Sequence, residues 1–295
     1  MSAAGYFKIT RPGNSAAAGA AAALAFWITG GAEWVSALLL FCAVTSICGA
    51  GNAVNDCFDA DIDRINHPKR PIPSGKATVA GGLILTGVLF AAGFLCSLPL
   101  GPWCPWLAVV NILLLILYST SFKRMPVIGN VCVAYLSGSV FLFGGMAVGA
   151  ESFLLTAPLF LVTFFATLAR EIVKDAENIK EDETEGAYTF PMLAGIKTAG
   201  ITAFVCMICA AGTAFIPVLY WGLPYACFIS AVDVFLITSA AKILSCKTPE
   251  EVQAAKISRT MKTGMFAATL VFFVSGHFIL LVFVFHKDIQ HFYQR

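Results

Sequence analysis

Residues 35–63 read VSALLLFCAVTSICGAGNAVNDCFDADID. The first 21 positions, through Asn55, carry no charged side chain, and then Asp56, Asp59, Asp61 and Asp63 arrive within eight residues. An α-helix needs about 20 apolar residues to cross the hydrocarbon core of a bilayer. The stretch therefore reads as a spanning helix that delivers a patch of carboxylates to one membrane surface. Arg64, His67, Lys69 and Arg70 follow directly, in RINHPKRPIPSG.

The whole chain agrees with that reading. Of its 295 residues 58% are hydrophobic and 12% charged, with a mean hydropathy of +0.81. Soluble domains carry about 25% charged residues, so this chain cannot cover a water-facing surface and is an integral membrane protein. The net charge is +2, and no basic stripe interleaved with aromatics appears, which excludes nucleic-acid binding. The N-terminal MSAAGYFKITRPGNS lacks a cleavable signal pattern and the composition of a transit peptide, which favours a prokaryotic cell membrane. The ten cysteines are scattered. Cys206 and Cys209 form a CxxC inside an apolar run with no partner pair, as expected of small buried hydrophobes.

Nine segments fit the spanning template: 14–31, 35–55, 78–99, 103–120, 127–149, 153–173, 197–217, 220–243 and 263–286, the first of them Ala-rich. The expectation is an all-α polytopic fold of nine transmembrane helices, a single domain over 1–295 surrounding a central cavity. Charge placement tests the count. With nine spans, every Lys and Arg except Lys287 and Arg295 falls on the face that holds the N-terminus and the connections after spans 2, 4, 6 and 8. The positive-inside rule places that face in the cytoplasm and the C-terminus outside.

A second acidic cluster follows span 6, in REIVKDAENIKED, residues 170–182. Asp56, Asp59 and Asp63 are spaced i, i+3, i+7, and so are Asp175, Asn178 and Asp182. Asn55, Asp59 and Asp63 also stack at i, i+4, i+8. Continued as helix, each set forms one polar stripe. Either cluster alone reads equally well as a solvated loop; two of matching spacing, after spans four apart, point to a shared ligand. Like charges at this spacing repel, so they call for a cation. Oxygen ligands without Cys or His select a hard ion, Mg²⁺, which prefers one or two carboxylates plus substrate phosphates. Arg70 and Lys123 are candidate phosphate contacts, as are Arg64 and Lys174, although the positive-inside rule alone would also place cations here. Tyr118 stands one turn before Lys123 and is either a site residue or an ordinary interfacial tyrosine.

The NDxxDxxxD of residues 55–63, the RPIPSG of 70–75, the YSxxFK of 118–123 and the second Asp motif at 175–182 resemble the UbiA superfamily of intramembrane prenyltransferases. The resemblance implies nine helices with both motifs cytoplasmic, and Mg²⁺ as cofactor. It makes Asn55, Asp59 and Asp63 the first Mg²⁺–diphosphate motif, with Asp175, Asn178 and Asp182 the second. Asp59, Asp63, Asp175 and Asp182 become the catalytic carboxylates, and Arg70 and Lys123 the diphosphate holders. Asn178 departs from the pattern, standing where relatives often carry aspartate, as does Glu181, where many have glycine. INHPKRPIPSG and REIVKDAENIKED are most similar to the archaeal digeranylgeranylglyceryl phosphate synthase group. That likeness implies a geranylgeranyl diphosphate donor, a lipid-like acceptor (geranylgeranylglyceryl phosphate) and no obligate protein partner. Two alternatives stay open on the residues: an aromatic, quinone-precursor or porphyrin-type acceptor, and a membrane transporter. Asp233 and His277 lie within spans, where ionisable residues are functional candidates; pairing inside the bundle is the expected reading. A GxxxG at 145–149 is expected to mark close helix packing.

Overall fold

A computed structural model of the chain describes the backbone of residues 1–184 and 186–293, and the side chains of residues 1–184 and 186–276. Among these residues the fold is all α-helical. The helices are α1 (Ala3–Ile9), α2 (Pro12–Ile28), α3 (Trp34–Phe58), α4 (Ala60–Asn66), α5 (Val79–Ser97), α6 (Trp103–Thr120) and α7 (Ile128–Val148). There follow α8 (Phe153–Glu177), α9 (Ile179–Thr184), α10 (Phe190–Ala214), α11 (Val218–Ala241), α12 (Pro249–Ala255) and α13 (Ile257–Tyr293).

Seven of these, α3, α5, α6, α7, α8, α10 and α11, are long and apolar enough to cross a membrane. They coincide with seven of the nine expected segments. Helix α2 has 17 residues and rises about 25 Å, at the lower end of the range that crosses a bilayer. It packs between α3 and α7 and touches α13. The apolar part of α13 runs on into residues whose side chains are not described, among them those of His277 and Lys287, and Arg295 lies outside the described residues. The chain is a multi-pass membrane protein with seven spans shown.

The reason for the architecture is visible on α5. Its inner face carries Gly82, Thr86, Phe90, Gly93 and Ser97, all buried, while Ile84, Val88 and Leu95 point outward and are more than half exposed. In lipid the outward face needs no cover, and helices associate where small residues admit close approach. Gly144 shows this against backbone: a Cβ there would lie 2.2 Å from the Ala22 carbonyl oxygen of α2. The GxxxG expectation holds at Gly145, where a Cβ would lie 2.5 Å from Thr156 Oγ1 of α8, and not at Gly149, which follows the end of α7 with nothing within 4 Å of a Cβ.

The same device occurs twice at one end of the bundle. Helices α3 and α8 are each 25 residues long, break for one residue, and resume as short helices α4 and α9. Across the first joint Asp59 N donates to Asn55 O (2.9 Å) and Asp63 N to Asp59 O (2.8 Å). Across the second, Asn178 N donates to Lys174 O (3.1 Å) and Asp182 N to Asn178 O (3.0 Å). Helical hydrogen bonding thus continues through both polar stripes.

Candidate active site

The two stripes meet at one cavity of about 790 Å³, enclosed chiefly by α2, α3, α6, α7, α8 and α13. Asn55, Asp59 and Asp63 line it from the α3–α4 side, and Asp175 and Asp182 from the α8–α9 side. Tyr118, Lys123, Arg70 and Lys174 line it as well. His67 Nε2 lies 3.2 Å from Glu181 Oε1, a contact between the end of α4 and α9.

Two residues expected at the site are not brought to it. Arg64 follows Asp63 by one residue, a turn of about 100° around the helix, and pairs instead with exposed Asp61 at 3.0 Å. Asn178 occupies the joint after α8 and faces a small cleft formed with Lys180, Glu181 and Glu250. Asp175 and Asp182, on either side of it, line the main cavity.

The buried carboxylates of the first rim are already matched to cations, as burial of charge requires. Lys123 Nζ pairs with Asp59 Oδ1, both side chains largely enclosed. Asn55 Nδ2 donates to Asp59 Oδ2 at 2.8 Å, while Asn55 Oδ1 is buried with no hydrogen-bond partner among the described residues. Arg70 Nη1 donates to both oxygens of Asp63 at 2.7 Å, and the Asp63 carboxylate is only 3% exposed. Asp56, the remaining acid of the first cluster, is held by Arg11 at 2.8 Å. On the other rim Asn130 Nδ2 of α7 donates to Asp175 Oδ2 at 2.7 Å. Glu171 is shared between Arg170 and Lys174, the latter at 3.3 Å.

Below the rims the wall turns apolar, with Leu115, Val133, Leu136, Val140, Phe141 and Phe143. Polar groups interrupt it, among them Asn111, whose Nδ2 donates to Ser139 Oγ at 3.0 Å, and Thr163 and Thr167. The cavity thus has a charged mouth and a greasy interior, suited to a ligand with an anionic head and a hydrocarbon tail.

Among the described residues no three His, Cys, Asp or Glu side chains converge closely enough to cage a metal alone. The donor set nevertheless fits Mg²⁺. That ion dehydrates reluctantly and takes one or two carboxylates, completing its shell with water and substrate phosphate. The partnerless Asn55 carbonyl beside Asp59 and the inward Asp175 and Asp182 supply oxygens of this kind.

Several cavity residues escape a motif-based reading: Arg11, Asn52, Asn130, Arg170 and Lys262. For Asn130 a signal existed, a lone amide within an otherwise apolar helix. Asp233 Oδ2 is buried without a hydrogen-bond partner among the described residues. Ser230, less than a turn away, donates instead to Ala226 O at 2.7 Å.

Residues 16–275 match the UbiA prenyltransferase family. Among curated proteins, digeranylgeranylglyceryl phosphate synthase of Methanoculleus marisnigri is 41% identical over 277 residues, covering 94% of this chain and 99% of that protein. The synthase of Natronomonas pharaonis is 36% identical, covering 92% and 96%. A solved structure reported for digeranylgeranylglyceryl phosphate synthase in membranes superposes with a TM-score of 0.80 at 32% identity, covering 92% of this chain and 97% of that one. A UbiA homolog from Archaeoglobus fulgidus bound to GPP and Mg²⁺ shares the fold, with a TM-score of 0.67 at 15% identity over 92% of this chain and 98% of that one. By the extent of these matches, this chain belongs to the UbiA prenyltransferase family.

Proposed function

We propose that the protein transfers a geranylgeranyl group from its diphosphate to the free hydroxyl of geranylgeranylglyceryl phosphate, forming an ether bond of archaeal membrane lipids. The observation that carries this reading is the convergence of two carboxylate rims and two cations on a single cavity with an apolar interior. Relatives up to 41% identical over nearly the whole chain bear the name of that synthase, which supports the choice of acceptor.

In this reading Asn55, Asp59 and Asp63 hold one Mg²⁺–diphosphate contact and Asp175 and Asp182 the other. Bound there, Mg²⁺ supplies positive charge to the departing diphosphate. Arg70 and Lys123 turn from Asp63 and Asp59 toward the phosphate oxygens, and Lys174 and Tyr118 face the same group. These donors stabilise negative charge that grows as the allylic C–O bond breaks, the general electrostatic device for such steps. The diphosphate leaves with the bonding electron pair, the acceptor oxygen attacks the allylic carbon, and its proton passes to a carboxylate of the second rim or to the released diphosphate. Leu136, Val140, Phe141 and Phe143 keep water from the cationic carbon and seat the isoprenoid tail. The chain forms one domain over 1–295, with nine spans, the N-terminus and both rims cytoplasmic, and the C-terminus outside. The distribution of Lys and Arg supports this orientation.

Purified protein given geranylgeranyl diphosphate, Mg²⁺ and competing glycerophosphate-ether and aromatic acceptors tests the reading, with products resolved by mass. Prenylation of the glycerophosphate ether is expected. Exclusive prenylation of an aromatic acceptor, or no release of diphosphate, refutes it.

A further inference from the structure

Beyond the donor rims, the cavity carries cations that the transfer step leaves unused. Arg170 lies five residues before Asp175 on α8, about 7.5 Å deeper along the helix, and lines the cavity. One of its nitrogens engages Glu171, while its Nε is buried with no hydrogen-bond partner among the described residues. Helix α13 starts beside the end of α8, where Ser258 N donates to Glu177 Oε1 at 2.9 Å, and packs along it. Lys262, four residues into α13 from that anchor, is therefore about 6 Å deep, and Arg170, seven residues back along α8, about 10 Å. Both open on the same space. Lys262 sits over the Phe266 ring at 5.8 Å and is in no ion pair among the described residues. On this wall Arg170, Lys174 and Lys262 stand against Glu171 and Asp175, which leaves one positive charge in surplus, and Lys262 is the cation without a carboxylate partner among the described residues. Thr167 and Thr269 add hydroxyls beside them.

We infer that Arg170 and Lys262 form a subsite for the phosphate monoester of the acceptor, separate from the diphosphate site and bordering it. A phosphate monoester carries a charge of about −1.5 to −2 near neutral pH, opposite in sign to Arg170 and Lys262. The inference rests on the proposed acceptor, and the chemistry of that acceptor demands such a place. Its reacting hydroxyl is on the carbon next to the one bearing the phosphate, so the anion must be held close to the transfer point. Arg170 and Lys262 thereby select phosphorylated acceptors over neutral ones.

The test uses the full-length protein in detergent, with donor and acceptor KM measured separately for wild type, Lys262→Gln and Arg170→Lys. Exposed Lys262 is replaced with little risk to folding, and Arg170→Lys keeps the charge while losing the Nε donor. Loss of one charge-assisted contact is worth about 10- to 100-fold. Lys262→Gln is expected to raise KM for geranylgeranylglyceryl phosphate by that factor, leave donor KM within about twofold, and leave turnover of the dephosphorylated acceptor unchanged. Equal loss for phosphorylated and dephosphorylated acceptors, or a rise confined to the donor KM, overturns the subsite. A second arm measures binding of a short-chain glycerol-ether phosphate by thermal shift, without donor. If the wild type binds this probe but transfers no prenyl group to geranylgeranylglyceryl phosphate, the functional reading fails while the subsite stands. If Lys262→Gln binds the probe as the wild type does, the subsite fails whatever the transfer assay shows.

Discussion

Asn130 gives the sharpest test of how the second rim is built. It lies on α7, 45 residues from Asp175 in sequence, and donates one short hydrogen bond to that carboxylate. Asn130→Leu conserves volume and removes the donor. A hydrogen bond to a charged group in a low-dielectric setting contributes about 1.5–3 kcal/mol, so affinity for a Mg²⁺–donor complex should fall about 10- to 100-fold. The loss arises because Asp175, released from Asn130, no longer aims its free oxygen at the cavity. Titration calorimetry with a thiolodiphosphate donor analogue and Mg²⁺ reads this directly, and thermal unfolding in detergent reports whether the helix packing survives. The same substitution in an Asp175→Asn background should cost less than about twofold, since coupled residues are not additive. Affinity within twofold of wild type, or an undiminished loss in the Asp175→Asn background, would show that Asn130 does not act through Asp175.

Three further outcomes follow from the geometry. Asp59→Ala or Asp175→Ala should lower transfer by at least about 100-fold, the usual loss for a transition-state electrostatic group, with expression and the unfolding midpoint preserved; near wild-type turnover in either variant sinks the metal assignment. Arg64→Ala should leave kcat/KM within about twofold, since exposed ion pairs contribute about 1 kcal/mol or less and Arg64 faces Asp61 outside the cavity; the parallel Arg70→Ala should raise donor KM. Gly144→Leu should lower stability by about 1–3 kcal/mol through overpacking against the Ala22 carbonyl, read as a reduced unfolding midpoint; an unchanged midpoint removes Gly144 from the α2–α7 contact.

Much of this molecule was legible in one dimension. A run of apolar residues from Val35 to Asn55 has only one economical conformation in a bilayer, because every backbone N–H and C=O must be satisfied within the segment. The repeated i, i+3, i+7 carboxylate spacing encodes a stripe for the same reason, since a helix turns by a constant angle per residue. Those are local rules, and the sequence by itself determined the helical class, the seven spans now seen and the chemistry collected at one end. It could not decide which polar side chains share a space. Asn178 obeys the spacing yet faces a different cleft, one formed with Glu250 of α12. Arg64 sits beside Asp63 in sequence and outside the cavity in space. Asn130, Arg170 and Lys262 come from three helices and meet around the carboxylates only after those helices pack. Their juxtaposition is settled by where small residues such as Gly144 allow backbones to approach, a property of tertiary contact that no local period records.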